Sequence, residues 1–318
     1  MFAITNPNKS AITSAAKALI GGALVGIPTE TVYGLAADAE NEAAVARIYS
    51  VKGRPQDHPV IVHIGSVDYL NKWAINIPDY ALKLANEYWP GPMTLILERS
   101  EIAKNFITGG QETVGLRVPA HLTTLALLEE FHNLGGNGIA APSANRFGAV
   151  SPTNAEAVQS ELGKFLDASQ DVIIDGGKSL VGVESTIIDC TSKFPSVLRP
   201  GAISEEMIEA TTGLNVKNDN KPQIRVSGSL ERHYSPKAKI LLSGKVSLGD
   251  GFIAINSLDT PEGAVRLASP ETLEDYARTL YSALREGDER GMNRIVVIPP
   301  EGNGLAKAIR DRLARAAR

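Results

Sequence analysis

The order of apolar runs along the chain limits its possible folds more than any other feature. Short stretches such as MTLILE at 93–98 and STIIDC at 185–190 are typical of buried strands. Segments with helical spacing lie between such runs, among them EAAVARIYSV at 42–51 and AEAVQSEL at 155–162. Because strands alternate with helices, we predict an α/β layer fold whose sheet is mixed rather than purely parallel.

A change in composition after Gly213 divides the chain. Segment 213–237 is polar, rich in Asn, Lys, Pro and Gly, and too long for an ordinary loop inside a compact domain. We therefore predict a first domain over 1–212, a linker over 213–237 and a second domain over 238–318. The second domain contains the runs KILLSG, FIAIN and RIVVIPP and the helical segment SPETLEDYARTLYSALREG, which indicate a small βαβ-type unit.

Composition and charge narrow the class of protein. The chain of 318 residues is 43% hydrophobic and 21% charged, as globular proteins are, and its net charge of −4 argues against a wholly basic nucleic-acid-binding protein. A single cysteine, Cys190, permits neither an intramolecular disulfide nor a metal site built from cysteines. The N-terminus MFAITNPNKS lacks the features of a signal peptide, and no run approaches the ~18 apolar residues of a membrane span. We therefore expect a cytoplasmic protein without membrane contact.

Several standard motifs are missing. The sequence GGKS at 176–179 resembles the end of a phosphate-binding P-loop, but Val172 stands where that loop requires its first glycine. GxGxxG, GxSxG and HExxH do not occur either. The sequence therefore supports neither a common nucleotide-binding fingerprint nor a serine-hydrolase or zinc-protease site.

Polar clusters lie instead at the ends of the predicted strands. In open α/β sheets, ligands collect at the carboxyl ends of strands. The clusters carry hydroxyl, guanidinium, ammonium and imidazole groups with few acids, which suits an anionic ligand with several oxygens. They are PTETVYG at 28–34, KGRPQDHPVIVH at 52–63, GLRVP at 115–119, APSANRFGAVSPT at 141–153, GVESTIID at 182–189 and LRPG at 198–201.

Each cluster also has a plainer interpretation. These are a solvated loop for KGRP, ordinary strand threonines for Thr29 and Thr31, a core histidine for His63, and a simple turn for Ser143 and Asn145. Arg117 and Arg199 resist such an explanation, because an arginine inside an apolar strand is costly unless it is paired and neither has an acid nearby in the sequence. The two arginines therefore favour an anion site.

Taken together, these segments resemble the YrdC-like family. Its signature pairs K-x-R with a distant S-x-N, here Lys52, Arg54, Ser143 and Asn145. The resemblance covers residues from about 10 to 210. The motif HYSPKAK at 233–239 and the tail are similar to the long, two-domain threonylcarbamoyl-AMP synthases within this family.

The resemblance implies a fold and a reaction. The fold is a twisted, open, mixed sheet around a central anionic-ligand cavity, followed by a small Rossmann-like α/β domain. The reaction converts L-threonine, bicarbonate and ATP into threonylcarbamoyl-AMP, pyrophosphate and water. A separate threonylcarbamoyl transferase then modifies tRNA. Two alternatives are an RNA-binding module without this chemistry and a different carbamoyl-adenylate enzyme, although the chain lacks the zinc-finger and acylphosphatase-like segments of the latter.

The resemblance also assigns roles to residues. The signature residues Lys52, Arg54, Ser143 and Asn145 would carry the chemistry. Threonine would be held by Thr31, His63, Arg117, Ala141 and Ser185. ATP would be held by Arg54, His58, Thr113, Ser143, Ser151, Arg199 and Tyr234. Mg²⁺ is expected with the triphosphate, without assigned protein ligands. From the length of the linker and its position between the two domains, we further predict that it closes over the nucleotide as a lid. A weak contact with RNA is left open.

Overall fold

The structure, a computed structural model, describes residues 4–217, 224–228 and 234–318, and within these ranges it contains two sheets. The larger sheet precedes the predicted linker and has ten strands. They are β1 Ile4–Thr5, β2 Val25–Ile27, β3 Gly34–Asp38, β4 Ile61–His63, β5 Met93–Glu98, β6 Thr113–Arg117, β7 Ile139–Ala140, β8 Val172–Ile174, β9 Thr186–Asp189 and β10 Ser196–Arg199.

The larger sheet is mixed, as predicted. Its strand order is β1-β8-β2-β3-β7-β4-β6-β5-β9-β10. The pairs β1/β8, β2/β8, β4/β6 and β5/β9 are parallel, and the remaining neighbours are antiparallel. The register of β4 against β6 sets His63 opposite Arg117. Two residues predicted for one site are therefore neighbours at the same end of the sheet.

Eight α-helices and one short 3₁₀-helix, Val67–Tyr69, accompany this sheet in the described ranges. The α-helices are α1 Lys9–Ile20, α2 Glu42–Lys52, α3 Leu70–Trp73, α4 Asp79–Tyr88, α5 Asn105–Thr108, α6 Leu122–Asn133, α7 Ala155–Leu162 and α8 Glu205–Thr212. Side-chain oxygens of Asn41 and Asn154 accept hydrogen bonds from the first turns of α2 and α7, which explains where both helices begin. The N-cap of α1 is Asn8.

The smaller sheet follows the predicted linker. Its strands are β11 Lys239–Leu241, β12 Gly251–Ile253, β13 Val265–Ala268 and β14 Arg294–Val297, and its helices are α9 Leu273–Glu289 and α10 Leu305–Ala316. The order is β11-β14-β12-β13, and every pair is parallel. This parallel α/β unit confirms the predicted fold class of the second domain, in which only β13 was not foreseen.

The cores of the two sheets are not separate. Leu280, Tyr281 and Leu313, from α9 and α10, lie in one buried cluster with Val32 and Val183 of the first domain. The helices of the second domain therefore pack directly against the loops that end the larger sheet. Residues 218–223 and 229–233 of the predicted linker lie outside the described residues, and the predicted domain limits stay a prediction. Over the described ranges, no helix combines the length and the apolar content that crossing a membrane requires.

Candidate active site

One cavity gathers most of the predicted site residues. Its lining combines loops that enter or leave β3, β4, β6, β7, β9 and β10 with residues of the predicted linker. The predicted residues in the lining are Thr31, Arg54, His63, Arg117, Ala141, Ser143, Ser185, Arg199 and Tyr234. Five others lie outside it, namely Lys52, His58, Thr113, Asn145 and Ser151.

Three buried arginines, Arg54, Arg117 and Arg199, line the cavity. Arg199 donates from Nε and Nη2 to the carbonyl of Ser185, at 3.1 and 2.9 Å. Arg54 donates from Nη2 to the carbonyl of Pro59 at 2.9 Å. Hydrogen bonds to neutral carbonyls hold these guanidinium groups in position without cancelling their charge.

Arg117 has an acidic partner that the sequence analysis did not identify. Its Nη2 donates to Glu30 Oε1 at 2.6 Å, and both side chains are buried. Glu30 Oε2 accepts from the backbone amide of Ala120 at 3.0 Å, which fixes the carboxylate. Glu30 precedes Arg117 by 87 positions, so proximity in sequence held no sign of the pair. The ion pair orients Arg117 beside the cavity.

His63 is buried in the neutral form. Burial, together with the nearby charge of Arg117, lowers the pKa of His63 to about 3. Its Nδ1 has no hydrogen-bond partner among the residues that the structure describes. A buried imidazole nitrogen without a partner is costly, so this atom is suited to a hydrogen bond with a ligand.

Lys52 lies behind the cavity wall. It is the last residue of α2, and Gly53 caps that helix in the left-handed conformation, with φ of 61°. The chain therefore reverses between Lys52 and Arg54, and only Arg54 reaches the lining. Lys52 Nζ donates to the carbonyls of Ser143 and Asn145, each at 2.5 Å. Lys52, which the resemblance groups with Arg54, is therefore absent from the lining and instead holds the loop that carries Ser143.

The other predicted residues outside the lining surround it. The Asn145 amide braces its own loop by donating to the carbonyls of Arg146 and Ala149, both at 2.8 Å. His58 packs edge-on against Phe147. Thr113 begins β6, and Ser151 is fully buried. The assignment of these residues to ATP or to the chemistry stays a prediction.

A short piece of the predicted linker covers the cavity, and we call residues 224–228 the strap. The backbone amide of Arg225 donates to Gln111 Oε1 at 2.7 Å. Further along, the carbonyl of Ser227 accepts from Arg199 Nη1 at 2.9 Å, and the Ser227 hydroxyl accepts from Arg54 Nη2 at 3.3 Å. With the strap in place, the cavity has a volume of about 50 Å³, enough for a few water molecules. The strap therefore forms part of the cavity wall.

A second acidic residue was also overlooked. Glu184 lines the cavity and is buried, and its carboxylate contacts Arg312 of α10 at 2.7 Å. GVESTIID was recognised as a polar cluster, but the partner of its carboxylate lies 128 positions away in the other predicted domain. No local pattern connects the two.

The strand ends of this mixed α/β sheet bring three arginines, a neutral histidine and several hydroxyls into one covered cavity. A cavity of this kind is typical of proteins that bind small anionic substrates. Comparison with known proteins agrees. The family model for Sua5, YciO and YrdC proteins, described as "Telomere recombination", matches residues 17–201. A second model, "Threonylcarbamoyl-AMP synthase, C-terminal domain", matches residues 203–318. The chain belongs to the threonylcarbamoyl-AMP synthase family.

Individual relatives cover nearly the whole chain. The threonylcarbamoyl-AMP synthase of Pyrococcus abyssi is 39% identical, over 93% of this chain and 90% of the relative. That of Bacillus subtilis is 37% identical, over 98% of this chain and 94% of the relative. A crystal structure of Pyrococcus abyssi Sua5 complexed with L-threonine has a TM-score of 0.88 at 37% identity, covering 99% of this chain and 97% of that one. The predicted family, fold class and enzyme class are confirmed.

Proposed function

We propose that this chain condenses L-threonine with bicarbonate and transfers the adenylyl group of ATP to the product, giving threonylcarbamoyl-AMP, pyrophosphate and water. The observation that carries the proposal is the convergence of Arg54, Arg117 and Arg199 on one covered cavity beside neutral His63. All reactants carry anionic groups, which repel one another in water. The guanidinium groups of Arg54 and Arg199, which donate to backbone carbonyls rather than to carboxylates, offset that repulsion.

The threonine subsite lies around Arg117 and His63. Arg117 uses Nη2 for Glu30 and Nε for the carbonyl of Gly91, which leaves Nη1 to bind the threonine carboxylate. The unpartnered Nδ1 of neutral His63 suits a hydrogen bond to the amine or the hydroxyl of threonine. This placement follows the roles that the family resemblance implies. The structure of Pyrococcus abyssi Sua5 complexed with L-threonine supports threonine as the substrate.

The nucleotide subsite lies around Arg54 and Arg199. Both guanidinium groups donate to oxygens of Ser227 in the strap. Phosphate oxygens of ATP would replace these acceptors when the strap opens, because phosphate is the stronger acceptor for a guanidinium donor. Closing the strap would then exclude water from the labile adenylate.

The chemistry needs no covalent intermediate on the enzyme. The threonine amine attacks bicarbonate, water leaves, and the resulting carbamate oxygen attacks the α-phosphate as pyrophosphate departs. The chain supplies position and positive charge, as is usual for phosphoryl-transfer enzymes. Arg54 would offset the negative charge that develops on the phosphates, while Lys52 holds the loop of Ser143 in place.

The proposal includes Mg²⁺, which would bind together with ATP. Among the described residues, no group of three or more His, Cys, Asp or Glu could hold a metal ion. The carboxylate of Glu184 is already used by Arg312, Ser151 and Tyr281. The cavity does not suit direct ligation by carboxylates, so phosphate and water would supply the ligands.

The proposed product supplies a threonylcarbamoyl transferase that acts on tRNA. Direct contact with RNA and a cytoplasmic location stay predictions. The alternative of an RNA-binding module predicts binding without turnover. Measuring pyrophosphate release from ATP, with threonine and bicarbonate added singly and together, tests the proposal. Release should require both substrates, and equal release without an amino acid would overturn the proposed function.

A further inference from the structure

We propose that Arg312, on α10 of the second domain, is a positioning residue for the nucleotide side of the cavity. It acts by fixing the carboxylate of Glu184 in the first domain. The inference rests on the proposed function, because it concerns the same cavity. It gives the second domain a defined part in that site.

Arg312 makes a set of short contacts across the two domains. Its Nε donates to Glu184 Oε2 at 2.7 Å, and its Nη2 donates to the carbonyl of Pro200 at 3.0 Å. Nη1 donates to Asp311 Oδ2 at 2.7 Å. The Arg312 side chain is 0% exposed, and full burial is rare for an arginine unless it is paired, as this one is. The second domain therefore inserts a fully buried cation behind the cavity.

Glu184 connects Arg312 to the residues of the cavity. Its Oε1 accepts from Ser151 Oγ at 2.7 Å, and its Oε2 also accepts from Tyr281 of α9 at 2.9 Å. The next residue, Ser185, provides the carbonyl that holds Arg199. A shift of the Glu184 backbone would therefore displace one of the two arginines proposed to bind ATP.

Tyr234 is held by the same group. The ring centroids of Tyr234 and Tyr281 lie 5.8 Å apart. The guanidinium carbon of Arg312 lies 5.4 Å from the ring centroid of Tyr234. Tyr234 lines the cavity and is buried. One arginine of the second domain thus contacts both an acidic and an aromatic residue of the cavity lining.

Charge balance explains why an arginine is needed. Burial by itself would raise the pKa of Glu184, but the charges of Arg312 and Arg199 hold it at about 2. Without Arg312, the buried carboxylate would turn to Arg199 for neutralisation or would take up a proton. Either change weakens the positive charge that Arg199 presents to phosphate.

Two other residues of α10 provide matched controls. Lys307, also on α10, pairs with Glu205 at 2.8 Å on the surface and does not touch the cavity. Arg310, on the same helix, donates to the carbonyls of Pro300 and Gly302 inside the second domain. Lys307→Gln perturbs the contact between domains, and Arg310→Gln perturbs α10, but neither change reaches Glu184.

The test compares full-length variants. The dissociation constant of a non-hydrolysable ATP analogue with Mg²⁺ is measured by calorimetry, together with kcat, the KM for ATP, the KM for threonine and the melting temperature. We expect Arg312→Gln to weaken analogue binding by about tenfold or more, in the range found when supporting residues of a site are removed. The KM for threonine should change less. Lys307→Gln and Arg310→Gln should bind the analogue as the wild type does.

Two further variants separate positioning from folding. Tyr281→Phe removes one hydroxyl and keeps the ring, so it should fold normally and still weaken analogue binding measurably. If Arg312 acts by balancing Glu184, Glu184→Gln should restore part of the affinity lost in Arg312→Gln. Arg312→Gln with wild-type affinity would overturn the inference, as would a loss of affinity that merely follows melting temperature across the controls. Failure of the proposed function would give a different result, because the wild-type protein would then show no threonine-dependent release of pyrophosphate.

Discussion

Lys52 holds the carbonyl of Ser143 at 2.5 Å, and this contact joins the two halves of the K-x-R and S-x-N signature. The side chain is almost fully buried, and burial, followed by the nearby charge of Arg54, lowers its pKa well below the usual value. Lys52→Met should therefore reduce stability as well as activity. Each buried carbonyl left without a donor costs about 1–3 kcal/mol. Urea unfolding measures this loss, and Lys83→Met, at an exposed lysine, is the control. If Lys52→Met left stability unchanged, a purely catalytic role for Lys52 would be favoured instead.

Arg54 should behave differently, because its guanidinium group reaches the cavity lining. We expect Arg54→Ala to lower threonine-dependent pyrophosphate release by about a hundredfold or more, the range for removal of preorganised charge. Arg54→Lys should restore only part of the rate, since an ammonium group cannot reproduce the planar fork of donors. The melting temperature should fall less than in Lys52→Met. Wild-type activity in Arg54→Ala would favour the solvated-loop interpretation of KGRP.

Glu30 should set the affinity for threonine. Glu30→Gln keeps an oxygen to accept from Arg117 but removes the charge that orients the guanidinium group. We expect the KM for threonine to rise by about tenfold, corresponding to about 1.4 kcal/mol. The KM for ATP should change little, because Arg54 and Arg199 keep their own partners. Steady-state kinetics measure both KM values, and Glu129→Gln, at an exposed glutamate, is the control. An equal rise in the KM for threonine and the KM for ATP would contradict this division of the cavity.

His63 should stay neutral across the working pH range. Its pKa is about 3 in the folded chain against 6.5 ordinarily, so the unfolded chain binds more protons between these values. His63 therefore contributes stability above pH 6.5 that is lost as the pH falls towards 3. Replacement by Gln should flatten the dependence of unfolding free energy on pH in this window. In wild-type protein, nitrogen-15 NMR should show no titration of this imidazole from pH 8 to 5, and an inflection near 6.5 would contradict its neutral role.

Local patterns predicted the elements well where caps and periodicity coincide. The helix AEAVQSEL was predicted with the bounds of α7, and MTLILE with those of β5. Helix α8 was missed although Ser204, its N-cap, precedes two glutamates, a usual sign of a helix start. Its short length and its position just before the polar linker hid that sign.

Most of the predicted site residues line one cavity, but their roles stay a prediction and the geometry of the cavity was not foreseen. Arg54, Arg117 and Arg199, which the motifs contain, all line one cavity. Spacing could not show that a left-handed Gly53 turns Lys52 away from Arg54. The partners Glu30 and Glu184 were missed because they contact residues far along the chain, and such pairs follow from sheet order and domain packing rather than from local sequence.

Gly228 allows a direct test of the strap. Its φ is +80°, and a methyl group there would overlap the Tyr234 hydroxyl and press on Arg199. Gly228→Ala should therefore displace the strap from the cavity. Because a loose strap admits water to the adenylate, we expect a higher KM for ATP and more product lost to hydrolysis per pyrophosphate released.

Gly213 supplies the matched control. Its φ is +71°, so alanine is strained there to a similar degree, but no atom lies within 4 Å of the added methyl group. The two variants therefore differ in the contact with the cavity rather than in backbone strain. The ratio of threonylcarbamoyl-AMP to pyrophosphate is followed by chromatography for both. A ratio lowered in Gly228→Ala alone would support closure by the strap. Equal ratios and equal KM values in the two variants would mean that this segment is only a tether between the domains.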